Sequence, residues 1–152
     1  MCNVDIKEFV GLQSFLPETM RGEEFLARSL PYLDIVTHID PEKLYPVRTA
    51  TAHPVFEQKR IKRFKQLLVD GDLSAELGEL MYASHRSYSA CGLGSRHTDA
   101  LVDRAQETNG AIGAKITGGG SGATVCFACV HEEAVERLRK FAQQNNRYFF
   151  VK

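Results

Sequence analysis

Apolar residues at helical spacing predict one long helix in the middle of the chain. Between Pro54 and Val69 they fall at helical spacing and would lie on one face of a helix: Phe56, Ile61, Phe64, Leu67 and Leu68. Proline is tolerated in a first helical turn, so the pattern predicts a start near Pro54. Gly71 follows the last apolar position and predicts the end.

Similar patterns predict three further helices and three strands downstream. A second helix follows a cap at Asp72 or Ser74, a third is capped by Thr98, and a fourth covers Glu132–Gln144. The residues expected on their buried faces are Leu77, Leu80, Met81, Ser84, His85 and Tyr88, then Leu101, Val102 and Ala105, and finally Val135, Leu138, Phe141 and Ala142. The predicted strands are Ala111–Thr117, Ala123–Val130 and Tyr148–Val151.

The order of these elements predicts an α+β fold. Helices followed by strand, strand, helix and strand suggest helices covering one face of a largely antiparallel sheet. The first fifty residues are less regular, because prolines separate the short amphipathic pieces Ile6–Leu12 and Glu23–Leu30. With 152 residues and 43% hydrophobic composition, we expect one domain over 1–152, with an irregular part at 1–50 and the helices and sheet at 51–152.

Composition narrows the classes of partner and location. The formal net charge is zero, which argues against a nucleic-acid partner held by bulk electrostatics. No apolar stretch reaches the roughly 20 residues needed to span a bilayer, and the first ten residues do not resemble a signal peptide. We therefore expect a cytoplasmic protein without membrane contact. Cys126 and Cys129 lie three apart in a predicted strand, so they should face opposite sides as buried thiols rather than bind metal.

A glycine-rich run between two predicted strands carries the strongest chemical signal. Residues 113–130 read GAKITGGGSGATVCFACV. Glycines leave the backbone N–H groups open to an anionic or polyhydroxylated ligand. The run is neither a Walker loop nor a dinucleotide fingerprint, since Lys115 precedes the glycines and a strand follows them.

Three blocks, in this order, resemble the C-terminal half of the GHMP superfamily of sugar kinases, of galactokinase and L-arabinokinase type. They are YPVRTATAHPVFEQKRIKRFKQLL, LGELMYASHRSYSACGLGSRHTDALV and GAKITGGGSGATVCF. The resemblance covers about Cys2 to Val130. It implies a ferredoxin-like α+β domain and transfer of the ATP γ-phosphoryl group to the anomeric hydroxyl of a sugar, with Mg²⁺ bridging the phosphates.

The resemblance also implies which residues form the binding site. It places the glycine run on the floor of the kinase active site, near the sugar and the transferred phosphoryl group. The substrate- and ATP-binding residues would be Thr117, Gly118, Gly119, Gly120, Ser121 and Gly122. The competing interpretation is a tight hairpin turn, in which the glycines only permit positive φ.

The same resemblance implies that essential parts lie outside this chain. These kinases carry the phosphate loop and the catalytic aspartate in an N-terminal half, so ATP and Mg²⁺ should bind only in a complete kinase. Gly92–Ser95 imitates the phosphate loop but is better interpreted as an inter-helix turn. Three alternatives follow: a split enzyme with a separate N-terminal half, a non-catalytic sugar-binding or self-associating module, and a fragment of a longer product.

Several further residues have ordinary structural explanations beside functional ones. His53 and His85 match family blocks, yet a lone histidine on a helix is more often packed than a ligand. Lys115 could neighbour a phosphate or be a solvated strand lysine. A basic cluster is expected on the solvated face of its helix, although it could contact a polyanion: Lys59, Arg60, Lys62, Arg63 and Lys65.

Overall fold

The computed structural model describes residues 4–28, 38–118 and 124–145. The chain divides into two compact units, of which the first is 1–56 and the second 57–152. The prediction of one domain with a change of character near residue 50 stays a prediction. The last predicted strand, Tyr148–Val151, lies outside the described residues.

The first unit is built from short elements. In chain order they are helix α1 (Ile6–Leu12), a 3-10 turn (Gln13–Phe15), strand β1 (Met20–Arg21), helix α2 (Gly22–Ala27) and strand β2 (Leu44–Tyr45). Asp5 caps α1 by accepting a hydrogen bond from the Lys7 amide at 2.8 Å. Phe9 is buried and meets Phe56 edge to face, with ring centroids 5.9 Å apart. The helical pieces were predicted, whereas the antiparallel pair β1 and β2 was not.

The second unit holds the helices and strands that carry the glycine run. They are helices α3 (Val47–Val69, which begins within the first unit), α4 (Ala75–Ala90) and α5 (Arg96–Gln106), strands β3 (Ala111–Thr117) and β4 (Thr124–Cys129), and helix α6 (Glu132–Gln144). The strands β3 and β4 form an antiparallel hairpin, with a register irregularity between Ala111 and Gly113. Helices with small antiparallel sheets agree with the predicted α+β class.

Two clusters of apolar side chains hold the second unit together. In one cluster, Tyr82, Val102, Ala105, Ala114 and Leu138 bring α4, α5, β3 and α6 together. In the other, Leu67, Leu77 and Met81 bring α3 and α4 together. Gly78 of α4 lies so close to β3 that an added Cβ would sit 1.6 Å from the carbonyl oxygen of Ile112. Glycine at this position therefore sets the distance between helix and strand.

The predicted start of α3 is wrong. The helix begins at Val47, and Pro54 lies inside it. A proline removes one helical hydrogen bond. The preceding turn is nevertheless supported by two hydrogen bonds: the Ala50 amide donates to the Pro46 carbonyl, and the Thr51 hydroxyl donates to the Val47 carbonyl. Val55 is 2% exposed, and its burial favours the continued helix over a break at the proline.

The predicted cap of α5 is also wrong. Ser95, not Thr98, is the N-cap, and the two residues form a capping box in which each side chain bonds the backbone amide of the other. Thr98 thus stands three residues inside the cap and is buried. For α4 the predicted cap Ser74 is in place, although its side chain makes no capping hydrogen bond. Strand β3 and helix α6 have the predicted bounds.

Within the described ranges, no helix is both long enough and apolar enough to cross a membrane. The cytoplasmic location and the absence of a nucleic-acid partner stay predictions.

Candidate functional site at the glycine-rich hairpin

The glycine run begins at the end of strand β3, which pairs with β4. Thr117 pairs with Thr124 as the last pair of the hairpin, and both side chains are exposed. Gly118 follows with φ of 84°, a left-handed conformation that favours glycine. Of the predicted site residues, Thr117 and Gly118 are thus at the hairpin tip, whereas Gly119, Gly120, Ser121 and Gly122 lie outside the described residues. Their binding role stays a prediction.

A tyrosine on α4 contacts the first glycine of the run. The Tyr88 hydroxyl donates a hydrogen bond to the Gly118 carbonyl oxygen at 3.0 Å. Tyr88 was predicted on the inner face of α4, and it is half-buried there. The sequence pattern did not reveal this contact, because the two residues are 30 positions apart.

A carboxylate and its donors lie on the same side of β3 as Thr117. Glu57 of α3 accepts hydrogen bonds from Ser84 Oγ at 2.5 Å and from Lys115 Nζ at 3.0 Å on one oxygen. Its other oxygen accepts from Arg60 Nε at 2.6 Å. The Glu57 side chain is 14% exposed and that of Lys115 is 29% exposed. The cluster Glu57, Arg60, Ser84 and Lys115, here called the Glu57 cluster, therefore joins α3, α4 and β3.

The Glu57 cluster keeps its carboxylate ionised. Burial by itself would raise the pKa of Glu57, but hydrogen bonds from Ser84, Arg60 and Lys115 outweigh it and lower the pKa from 4.5 to about 2. Lys115 is thus not a freely solvated strand lysine, because its ammonium group pairs with Glu57. Sequence reasoning missed the cluster; the one local signal was the Glu57–Arg60 spacing of three residues, which suits a helical ion pair.

His85 is buried beside an aspartate. Its side chain is 8% exposed, and its Nε2 lies 3.3 Å from Asp99 Oδ1. Nδ1 is buried and has no hydrogen-bond partner within the described part of the chain. Burial lowers the pKa of His85, and the attraction of Asp99 and Asp103 does not compensate fully. His85 is therefore packed, as the more common alternative predicted, while His53 is half-buried on α3.

The structure corrects the expectation of buried thiols. Cys126 is exposed, while Cys129 is half-buried and packs against the cluster that contains Ala114. The two cysteines do face opposite sides of β4, as strand alternation predicted. Among the described residues, no group of three His, Cys, Asp or Glu side chains is placed to hold a metal ion.

The remaining sequence candidates have structural positions. Gly92 has φ of 78° and Ser95 caps α5, so Gly92–Ser95 forms the inter-helix turn favoured above. In the basic cluster of α3, Arg60 pairs with Glu57 and Arg63 pairs with Glu76 through two hydrogen bonds of 2.5 and 2.6 Å. The other members are exposed: Lys59, Lys62 and Lys65. This arrangement is that of a solvated helix face.

Known proteins resemble this chain in sequence and in structure. Residues 58–147 match the family described as GHMP kinases C terminal. The chain is 45% identical to the L-arabinokinase of Arabidopsis thaliana, over 88% of this chain and 14% of that protein. It is 33% identical to the galactokinase of Thermotoga maritima, over 69% of this chain and 32% of that protein.

A solved structure extends the likeness to the fold. The crystal structure of Lactococcus lactis galactokinase complexed with galactose matches 92% of this chain and 31% of its own, with a TM-score of 0.57 and 27% identity. These likenesses confirm the predicted fold class and the resemblance noted in the sequence. The chain spans between 14% and 32% of the length of these curated relatives.

Proposed function

Because the chain belongs to the GHMP kinases C terminal family, we propose that it acts as the C-terminal domain of an ATP-dependent sugar 1-kinase of L-arabinokinase or galactokinase type. The observation that carries the proposal is the family match itself, which includes the whole glycine-rich hairpin. The named relatives point to a pentose or a galactose-like sugar as the acceptor.

In this proposal the glycine run, Thr117–Gly122, lines the floor of the active site. Phosphoryl transfer depends on positioning and on stabilising negative charge, and backbone N–H groups supply both without proton transfer. The exposed Thr117 hydroxyl and the left-handed turn at Gly118 support this role, because both lie where the hairpin meets solvent. In this proposal the catalytic base belongs to a part of the kinase outside this chain.

ATP, Mg²⁺ and the base come from an N-terminal kinase half in this proposal, so the chain by itself should not turn over. The test mixes the purified chain with ATP, Mg²⁺ and either L-arabinose or galactose, and follows ADP release. We expect no sugar-dependent ADP from the chain alone. Adding the N-terminal part of a relative, such as the Arabidopsis L-arabinokinase, should give sugar-dependent ADP; robust turnover by the chain alone would contradict the proposal.

A matched pair of glycine variants tests the role of the run in the reconstituted mixture. Gly118 and Gly71 both have positive φ, of 84° and 69°, so an alanine at either position meets a similar backbone cost of about 1 kcal/mol. Gly71 lies in open space after α3. Gly118→Ala should lower turnover strongly and Gly71→Ala should not. An equal loss of turnover in the two variants would mean that Gly118 serves only the backbone turn and has no role in the reaction.

An apolar groove on the first unit is a candidate docking site for a partner. The groove has a volume of about 470 Å³ and is lined by Val4, Glu8, Phe9, Leu12, Phe15, Leu16 and Thr51. Phe15 is 82% exposed and Leu12 is 52% exposed. Contiguous exposed apolar surface is typical of a site that another protein covers. We assign the groove to the N-terminal kinase half.

The same groove favours the second candidate function, a non-catalytic module that pairs with itself. Light scattering separates the two candidates. The kinase is supported if the chain binds the N-terminal half and Phe15→Ser weakens that binding. Val69→Ser is the matched control, because Val69 is 72% exposed and lies outside the groove, and it should leave the binding unchanged. The self-associating module is supported if the chain alone forms a dimer and Phe15→Ser dissociates that dimer.

A further inference from the structure

Two side chains on one face of α4 act on the end of β3. Ser84 and Tyr88 are four residues apart, which places them one above the other on a helix. The Tyr88 hydroxyl holds the Gly118 carbonyl at 3.0 Å. Ser84 Oγ holds Glu57 at 2.5 Å, and Glu57 in turn holds Lys115 Nζ at 3.0 Å. One helix face therefore reaches the strand at two successive points.

Those two points bracket the last pairs of the hairpin. Lys115 pairs with Cys126 and Thr117 pairs with Thr124, and Gly118 follows at once. Lys115 and Thr117 lie on the same face of β3, since side chains alternate along a strand. The contacts from α4 are therefore placed where they resist fraying of the hairpin and rotation of the left-handed turn.

We propose that Ser84 and Tyr88 are positioning residues that fix the entry to the glycine run. The inference deepens the proposed function and rests on it for its kinetic consequence. Neither residue needs to touch a substrate. Tyr88 sets the direction of the Gly118 peptide group, and Ser84 sets the side chain of Lys115 through Glu57. A loop that must meet a transition state depends on such support, because small misplacements cost rate.

The first test removes one oxygen atom. Tyr88→Phe keeps the ring and loses the donor to Gly118, so amide hydrogen exchange in the peptide 112–118 should accelerate about fivefold, as for the loss of one hydrogen bond. The carbonyl carbon resonance of Gly118, observed in a chain labelled at glycine carbonyls, should move. Tyr82→Phe is the matched control: it removes a hydroxyl from the same helix, but its ring packs in the cluster with Ala114. It should leave both signals in place.

The second test addresses Ser84. Ser84→Ala removes a donor that lowers the pKa of Glu57, so a carbon NMR titration should show that pKa rising toward its ordinary value. Exchange in the peptide 112–118 should accelerate here too. The melting temperature should change little in Tyr88→Phe and should fall by a few degrees in Ser84→Ala, because a higher pKa of Glu57 means lost stability at neutral pH. An unmoved Gly118 resonance in Tyr88→Phe, or exchange that rises equally throughout α4, α5 and the hairpin, would overturn the proposal.

The kinetic readout separates this inference from the proposed function. In the reconstituted kinase, Tyr88→Phe should lower kcat about threefold to tenfold with KM for the sugar nearly unchanged, because positioning acts in the transition state. Unchanged kcat alongside a moved Gly118 resonance would refute the positioning role while the kinase assignment stands. Absence of turnover in the unmodified mixture would instead refute the proposed function, and the resonance and exchange results would still decide whether α4 holds the hairpin.

Discussion

Replacing Glu57 by glutamine tests the electrostatic account of the second unit. The substitution keeps the shape of the side chain and removes its charge. Lys115 and Arg60 then lose their shared anionic partner at side chains that are 29% and 18% exposed. The expected result is a loss of stability at neutral pH, because two partly buried cations are left poorly matched.

The size of the loss follows from the pKa of Glu57. A carboxyl whose pKa falls from 4.5 to about 2 on folding stabilises the folded state by about 3 kcal/mol at pH 7, since a tenfold change in proton binding is worth about 1.4 kcal/mol. Lys115 is partly exposed, and solvent screening reduces the expected contribution to about 2 kcal/mol.

The sign of the pH dependence is fixed by the lowered pKa. Stabilisation by Glu57 is fully present above pH 4.5 and is lost as the pH falls toward 2, where the folded carboxyl takes up its proton. Urea unfolding of the unmodified chain and of Glu57→Gln, between pH 7 and pH 2, gives the difference in free energy of unfolding. That difference should be about 2 kcal/mol at pH 7 and should shrink mostly below pH 4.5.

Two outcomes would refute this reasoning. A difference below about 0.5 kcal/mol at pH 7 would mean that Glu57 behaves as a surface ion pair. A difference that stays constant down to pH 2 would mean that packing, rather than charge, distinguishes glutamate from glutamine. Glu76→Gln is the matched control, because Glu76 also pairs with an arginine of α3, at two exposed side chains. It should change the unfolding free energy very little.

Three other substitutions test the packing and the caps. Gly78→Ala should lower the free energy of unfolding, measured with urea, by about 3 kcal/mol, because the added Cβ would overlap the Ile112 carbonyl. Gly11 has open space around it, so Gly11→Ala should leave the free energy of unfolding unchanged or raise it slightly. Leu138→Ala should cost about 2 to 5 kcal/mol, since Leu138 is 1% exposed in the core, and a smaller loss would mean that the site collapses around the cavity. Ser95→Ala should cost about 1 kcal/mol and lower the melting temperature by a few degrees; an unchanged melting temperature would show that the capping box at α5 contributes little.

Patterns within one element were sufficient to predict much of the fold. Helix α6 and strand β3 have the predicted bounds because their apolar periods of 3.6 and 2 are unbroken between clear end signals. The start of α3 was wrongly predicted at Pro54, which lies inside the helix. A proline destabilises a helix interior, but burial of the helix outweighs this cost, and burial cannot be seen in a sequence pattern. The Ser95 cap was missed because Ser95 and Thr98 are both good capping residues three positions apart.

The candidate site was predictable only in part. The glycine run was recognisable from its composition, and the strand β3 that precedes it and the strand β4 that follows it were predicted from their alternating patterns. The contacts behind it do not: Glu57 and Lys115 are 58 positions apart, and Tyr88 and Gly118 are 30 apart. Such pairs depend on how α3 and α4 pack against β3, a matter of tertiary geometry rather than of local pattern.

The central claim is that this chain works as the C-terminal domain of a sugar kinase. The most direct measurement replaces the matching part of the Lactococcus lactis galactokinase, which is 31% of that chain, by the chain described here. The account predicts galactose-dependent ADP release from the chimera, with strong loss in Gly118→Ala and little loss in Gly71→Ala. A folded chimera that binds ATP and releases no ADP with galactose would contradict it.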